Sequence, residues 1–152
     1  MDRADKAKQY FNEGYTCSQS VVLAFQDLMG IEKEKLIKLT LPLGGGLGRL
    51  RLTCGAINSM AMVIGMIFSN SESNSENKDT TYAIVQELAK RFTKENETLN
   101  CEELLKKAEL EVEIGGKAEE RTNEYYKKRP CGKIVYSAAK ILEEYLIERG
   151  II

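Results

Sequence analysis

The sequence contains no histidine and no closely spaced pair of cysteines. Without histidine, the chain lacks the commonest general base and the usual partner of a serine or cysteine nucleophile. It also lacks every zinc site that combines cysteine with histidine. No CxxCH motif occurs, which excludes covalent haem attachment, and no CxxC motif suggests a zinc knuckle or a thioredoxin-like pair. Any chemistry must therefore use cysteine, carboxylates, lysine or arginine, tyrosine, or the backbone.

Strong charge and long apolar runs are also missing. The 22 basic and 23 acidic residues leave a net charge of −1, so no global field favours nucleic acid or an anionic membrane as a partner. The apolar run over 53–68 is short for a bilayer span, and no other candidate exists. The first residues, MDRADKAKQYF, include no apolar signal segment, so we expect a cytoplasmic protein. In that compartment, four cysteines are more typical of thiols, metal ligands or redox groups than of structural disulfides.

The spacing of apolar residues predicts an all-α protein. At 152 residues, we expect a single compact domain of about six or seven helices. The segment 69–80 has the composition of a solvated linker within this domain, and 110–114 is interpreted as helix or loop. Helical patterns cover 4–12, 17–29, 53–68, 81–95, 101–108, 117–128 and 133–149, and a brief amphipathic piece covers 33–40.

All four cysteines lie in the first turn of a predicted helix. Three follow a predicted N-cap and one follows a proline; they are Cys17, Cys54, Cys101 and Cys131. A helix N-terminus favours an anion such as a thiolate, but its dipole contributes only about 0.3–1 kcal/mol, which is less than one pKa unit. Full ionisation would therefore need a cation or a metal as well. A cysteine near a helix start is most often simply part of the core, yet four of four argues against coincidence.

Gaps of 36, 46 and 29 residues separate the cysteines, so they can act together only if the fold gathers them. A glycine-rich segment, LPLGGGLGRLRLT, lies directly before Cys54. Its bare backbone N–H groups could approach a bound anion or a cluster sulfide, and Arg49 and Arg51 could add positive charge. The alternative is a flexible turn with solvated arginines. The segment follows no strand and does not match GxxxxGK[ST], so it is not a nucleotide loop. The candidate cofactor-binding residues are Gly44, Gly45, Gly46, Arg49 and Gly55.

Taken together, these motifs resemble the C_GCAxxG_C_C family of redox-active proteins. The resemblance rests on YTCSQS around Cys17, the triple glycine, Cys54-Gly55-Ala56, Cys101 and Pro130-Cys131, and it spans nearly the whole chain. One departure is Ser59, which stands where the motif has its second glycine. The resemblance implies a redox protein, with an iron–sulfur cluster or another metal suspected, but it supplies no reaction.

Four functions remain open from the sequence. The leading hypothesis is an electron-transfer protein in which Cys17, Cys54, Cys101 and Cys131 ligate an iron–sulfur cluster. The second is metal-free chemistry, in which two cysteines cycle between dithiol and disulfide. A zinc site with four cysteine ligands is third. The last is a helical interaction module that exposes an apolar patch, such as Tyr125-Tyr126 or the last helix. The sequence identifies no redox partner protein.

Overall fold

The computed structural model describes residues 1–152 and contains helices but no strand, so the all-α prediction is confirmed. Eight α-helices are present rather than six or seven. Part of the predicted second helix is a 3-10 turn, Gln26–Leu28, and another such turn, Leu41–Leu43, follows the third helix. The helices are α1 (Arg3–Asn12), α2 (Cys17–Ala24), α3 (Lys33–Thr40), α4 (Gly55–Phe68), α5 (Ser75–Asn96), α6 (Cys101–Lys107), α7 (Asn123–Lys128) and α8 (Cys131–Glu148).

The core forms where α2, α4 and α8 pack together. Helix α1 packs against α8 and α2, and α5 packs against α4 and α8. Twenty-seven buried residues make one hydrophobic cluster, which includes Phe25, Phe92, Met60 and Leu142. The apolar helix α4 is buried mainly over its first three turns, whereas Met66 near its end is 50% exposed. None of the helices combines the length and the apolar composition needed to cross a bilayer.

The predicted helix caps account for how several helices begin. At α2, the Gln19 N–H donates to Thr16 Oγ1 at 3.1 Å, and the Thr16 N–H donates to Gln19 Oε1 at 2.9 Å. This reciprocal pair is a capping box, as the sequence predicts. At α6, Asn100 accepts the N–H of Glu103. At α4 the predicted cap is one residue off, because Thr53 forms an isolated antiparallel bridge with Asn100 and Cys54 becomes the N-cap.

Two stretches differ from the prediction. The segment 69–80 is largely exposed, but α5 already begins at Ser75, because Asn74 accepts the N–H of Asn77 and caps the helix there. Of the helix predicted over 117–128, only α7 forms, and its cap is Thr122. The residues before it are irregular because Arg121 is held against the start of the chain, where it donates to backbone carbonyl oxygens at 3.1 and 3.0 Å. The segment 110–114 is irregular, as one of its two interpretations expects.

Candidate thiol site

All four cysteines line one cavity of about 350 Å³. Three of them are the first residues of α2, α6 and α8, and Cys54 is the N-cap of α4. The folded chain therefore brings together four sulfur-bearing residues that are far apart in sequence. Cys54 is buried, and the other three are partly exposed; none is in a disulfide.

A short backbone connection couples the starts of α4 and α6. The Cys54 N–H donates to the carbonyl oxygen of Leu99 at 2.8 Å, and the Cys101 N–H donates to that of Leu52 at 2.6 Å. These two hydrogen bonds flank the bridge between Thr53 and Asn100. They fix two of the cysteines relative to each other, although 46 residues separate them in sequence.

The glycine loop packs closely around the cysteines. Gly45 has a φ of +66°, and its backbone N–H helps to lower the pKa of Cys17. Gly46 has a φ of +69°, and a Cβ added there would lie 2.6 Å from the Cβ of Cys101. A Cβ added at Gly45 would lie 2.9 Å from the Cα of Arg49, so contact excludes larger residues at both positions, and the left-handed backbone disfavours them further. Among the predicted cofactor-binding residues, Gly44, Gly45 and Arg49 line the cavity, whereas Gly46 and Gly55 do not.

Gly55, the glycine that follows Cys54, allows close approach of the Cys17 sulfur. A Cβ at Gly55 would lie 2.8 Å from Cys17 Sγ and 2.8 Å from the carbonyl oxygen of Leu43. Both distances are too short for a methyl group, and the Leu43 oxygen belongs to the backbone. The requirement for glycine after the cysteine thus has a local cause, which is the packing of the α4 N-terminus onto Cys17.

Ser59, the departure from the family motif, has a structural role of its own. Its side chain is fully buried, and its hydroxyl donates to the carbonyl oxygen of Ser18 at 2.6 Å. Ser18 follows Cys17 in the first turn of α2, so this hydrogen bond ties α4 to the helix turn that carries the thiol. A glycine at position 59 would give no such bond.

The sulfur of Cys17 is surrounded by hydrogen-bond donors. The neighbouring Cys54 thiol has the largest effect on the pKa of Cys17 and lowers it by stabilising the thiolate. Burial opposes ionisation, but the backbone N–H groups of Gly45, Ser18 and Gly55 add further stabilisation. Together they lower the pKa of Cys17 to about 6. The same interaction, together with burial, raises the pKa of the Cys54 thiol. The surroundings of Cys17 therefore favour ionisation of Cys17 over ionisation of Cys54.

The other two thiols are held in the protonated form. Burial raises the pKa of Cys131 to about 12, and the nearby Cys17 thiolate adds to this shift. Burial also raises the pKa of Cys101, although the Arg51 guanidinium counteracts it from 3.8 Å. The four cysteines thus share one cavity but divide into the Cys17–Cys54 pair, in which the pKa of one thiol is lowered, and two further thiols whose pKa values are raised.

Four arginines and one glutamate, Glu119, also line the cavity; the arginines are Arg49, Arg51, Arg121 and Arg129. The first two have φ values of +65° and +60°, a left-handed conformation that costs an L residue roughly 1–2 kcal/mol. The sequence indicates only Arg49 and Arg51, because the approach of the other two depends on the irregular segment before α7. The local signal for those two is their spacing, since each is four residues from Tyr125. Their guanidinium groups lie 4.8 Å (Arg121) and 5.0 Å (Arg129) from the centroid of its ring.

No three histidine, cysteine, aspartate or glutamate side chains lie close enough together to hold one metal ion. The roles of the four cysteines as metal ligands, and of the glycines and Arg49 in cofactor binding, therefore remain predictions. Tyr125 and Tyr126, considered above as an exposed patch, instead pack against the hydrophobic core.

A family model described as "Putative redox-active protein (C_GCAxxG_C_C)" matches residues 15–145. The chain belongs to this family. The matched range contains all four cysteines, the glycine loop and most of α8, and it covers every residue that lines the cavity except Phe11. No match to the chain was found among curated proteins or solved structures.

Proposed function

We propose that this chain is a thiol–disulfide redox protein in which Cys17 is the attacking sulfur and Cys54 its disulfide partner. The observation that carries the proposal is that both cysteines line one cavity, with the start of α4 so close to Cys17 that a Cβ at Gly55 would lie 2.8 Å from its sulfur. The lowered pKa of Cys17 supports the same assignment. A thiolate, rather than a thiol, is the nucleophile in such exchange. The family, described as redox-active, supports the same class of chemistry.

The roles of Cys17 and Cys54 follow from the opposite directions in which their pKa values are shifted. Cys17, with its lowered pKa, attacks an external disulfide and forms a mixed disulfide with one half of it. That step removes the Cys17 thiolate, and the interaction with Cys17 is the largest cause of the raised Cys54 pKa. Cys54 can then lose its proton and attack the Cys17 sulfur, which closes the Cys17–Cys54 disulfide and releases the second half. Two electrons pass from the protein to the acceptor.

Oxidation followed by peptide mapping tests this pairing. Reduced protein is treated with one equivalent of diamide without air, the remaining thiols are alkylated, and the peptides are identified by mass spectrometry. We expect a disulfide between Cys17 and Cys54, with Cys101 and Cys131 alkylated. The C54S variant should instead accumulate a mixed disulfide at Cys17 when glutathione disulfide is the oxidant. A disulfide between Cys101 and Cys131, with Cys17 still alkylated, would contradict the proposal.

A bound iron–sulfur cluster or other metal is the second candidate, supported by the convergence of all four cysteines on one cavity. The donor set fits in kind, because four thiolates hold either common cluster type. Cys17, Cys54, Cys101 and Cys131 would be the ligands, and the loop N–H groups and arginines would offset the negative charge. Such a group would supply one-electron transfer. The cysteine side chains would have to move closer together, since no three of them form a metal-binding group as placed.

Iron and acid-labile sulfide in anaerobically purified protein distinguish the two candidates. The cluster hypothesis requires both elements in stoichiometric amounts, with all four thiols protected from alkylation. The thiol hypothesis requires four alkylatable thiols in the reduced protein, with Cys17 reacting first.

We further propose a cytoplasmic location, because neighbouring thiols stay reduced in that compartment.

A further inference from the structure

The cavity beside Cys17 has an excess of positive charge. Four arginines line it, and Glu119 is the one acidic residue among the lining residues. Glu119 is paired with Arg129. Arg121 donates to two backbone carbonyl oxygens and lies 4.5 Å from the centroid of the Phe11 ring. Arg121 and Arg129 therefore already have partners within the protein.

Arg49 is different because part of its guanidinium has no partner. Its Nε is buried and makes no hydrogen bond, and its only ion pair, with Glu113, is 3.8 Å long. A buried guanidinium N–H without an acceptor is costly and uncommon. Arg51 is only 5% exposed; its Nε donates to the Glu113 carbonyl oxygen, and one terminal nitrogen lies 3.8 Å from Cys101 Sγ. The cavity that the proposed nucleophile lines thus also contains an unsatisfied hydrogen-bond donor and buried positive charge.

The remaining walls are largely apolar, with Leu41, Leu104, Leu105, Tyr125 and Ile134 among them. An inorganic oxyanion would fill only a small part of about 350 Å³ and would leave these walls unused. A small organic molecule that carries both an aliphatic part and a carboxylate would contact both kinds of surface.

We propose that the cavity binds a low-molecular-weight disulfide that bears carboxylates, with Arg49 as the carboxylate anchor and Cys17 as the attacking group. This inference rests on the proposed thiol–disulfide function and specifies its substrate class. In the first step, the Cys17 thiolate attacks one sulfur of the substrate, a protein–substrate disulfide forms, and one half leaves as a thiolate. That thiolate takes up the Cys54 proton. Cys54 then attacks Cys17, and the second half leaves, so one disulfide is reduced and one is formed.

Three model disulfides of different charge test the inference: 3,3′-dithiodipropionate (anionic), 2-hydroxyethyl disulfide (neutral) and cystamine (cationic). The second-order rate of oxidation of the reduced protein is measured with each, under anaerobic conditions and at low ionic strength. We expect the anionic probe to react about tenfold faster than the neutral one, with cystamine slowest. The preference should shrink as salt is added, because the attraction is partly electrostatic.

Two variants connect this preference to Arg49. R49Q should lower the ratio of the anionic-probe rate to the neutral-probe rate about tenfold, as expected for loss of a hydrogen bond to a charged group. R91Q is the matched control, because Arg91 pairs with Glu87 and Glu148 and does not line the cavity. It changes net charge equally and should leave both rates unchanged. Thermal unfolding of each variant checks that the fold is intact.

The outcomes separate this inference from the function on which it rests. Equal rates with all three probes, each giving the Cys17–Cys54 disulfide, would overturn the substrate class and leave the thiol function standing. An anionic preference that survives in R49Q would overturn the role of Arg49. Absence of reaction with every probe would overturn both the substrate class and the thiol–disulfide function.

Discussion

Cys17 and Cys131 occupy the same position in their helices but have opposite chemical properties. Each is the first residue of its helix, and the helix that follows Cys131 is the longer, at 18 residues against 8. Yet the pKa of Cys131 is raised to about 12, while that of Cys17 is lowered to about 6. If the helix dipole set the pKa, Cys131 would be at least as acidic as Cys17.

The difference lies in groups that other parts of the chain supply. Cys17 receives a neighbouring thiol from the start of α4 and an N–H group from the glycine loop. Cys131 has no comparable set of donors to offset its burial, and the negative charge on Cys17 raises its pKa further. A helix start therefore favours a thiolate only weakly, and donors from other elements decide which thiol ionises.

The largest effect that we expect from this comparison is in thiol reactivity. At pH 7, iodoacetamide should alkylate Cys17 at least about 100-fold faster than Cys131, because nearly all of the Cys131 remains protonated. Quantitative peptide mass spectrometry over a time course measures the two rates in one sample. Similar rates at both sites, or fastest alkylation at Cys101, would contradict the division of the four cysteines into the Cys17–Cys54 pair and two further thiols whose pKa values are raised.

The next effect concerns the packing that brings α4 against Cys17. G55A should lower the free energy of unfolding by about 1–3 kcal/mol, because the added methyl group would collide with the Cys17 sulfur and the Leu43 carbonyl oxygen. Urea denaturation measures this change, and the Cys17 pKa should rise as the N–H donor of residue 55 moves away.

Gly65, in the same helix, provides the matched control. A Cβ at Gly65 would meet nothing within 4 Å, so G65A should raise the free energy of unfolding by roughly 0.5–1 kcal/mol through helix propensity alone. If G55A were as stable as G65A, with unchanged Cys17 reactivity, the close approach of Gly55 to Cys17 would not matter for the site.

A smaller effect is expected at Ser59, whose hydroxyl ties α4 to the first turn of α2. S59A should cost about 1 kcal/mol for the lost hydrogen bond to the Ser18 carbonyl oxygen. S59G restores the motif glycine and should cost about 2 kcal/mol, because the residue also lies inside a helix. The exposed S71A variant controls for the substitution itself. A gain in stability for S59G would show that the motif glycine packs better here than serine.

Local signals in the sequence were sufficient for much of the fold. The capping residues Thr16 and Asn100 and the periodic apolar faces of α5 and α8 predict helices that the structure contains. The segment 117–122 could not be predicted in this way. Its composition allows a helix, but long-range hydrogen bonds from Arg121 hold it in an irregular path.

The candidate site was only partly predictable. The sequence indicates thiols at helix starts and glycines that let backbone approach them, and the structure brings all four thiols to one cavity. The sequence could not indicate that Cys17 and Cys54 are neighbours, because 36 residues separate them. It also could not indicate that backbone N–H groups from three segments act on the Cys17 sulfur. The difference in pKa between Cys17 and Cys54 therefore arises only when α2, α4 and the glycine loop pack together.

The most direct test of the account is the pH dependence of Cys17 alkylation in the reduced wild-type protein. Only the thiolate reacts, so the rate should rise with pH and level off above the pKa. We predict a midpoint at about pH 6, with the rate nearly constant from pH 7 upward, whereas Cys131 should still be gaining reactivity at pH 10. A Cys17 midpoint near the ordinary thiol value of 9 would contradict the claim that the folded chain creates a thiolate at this position.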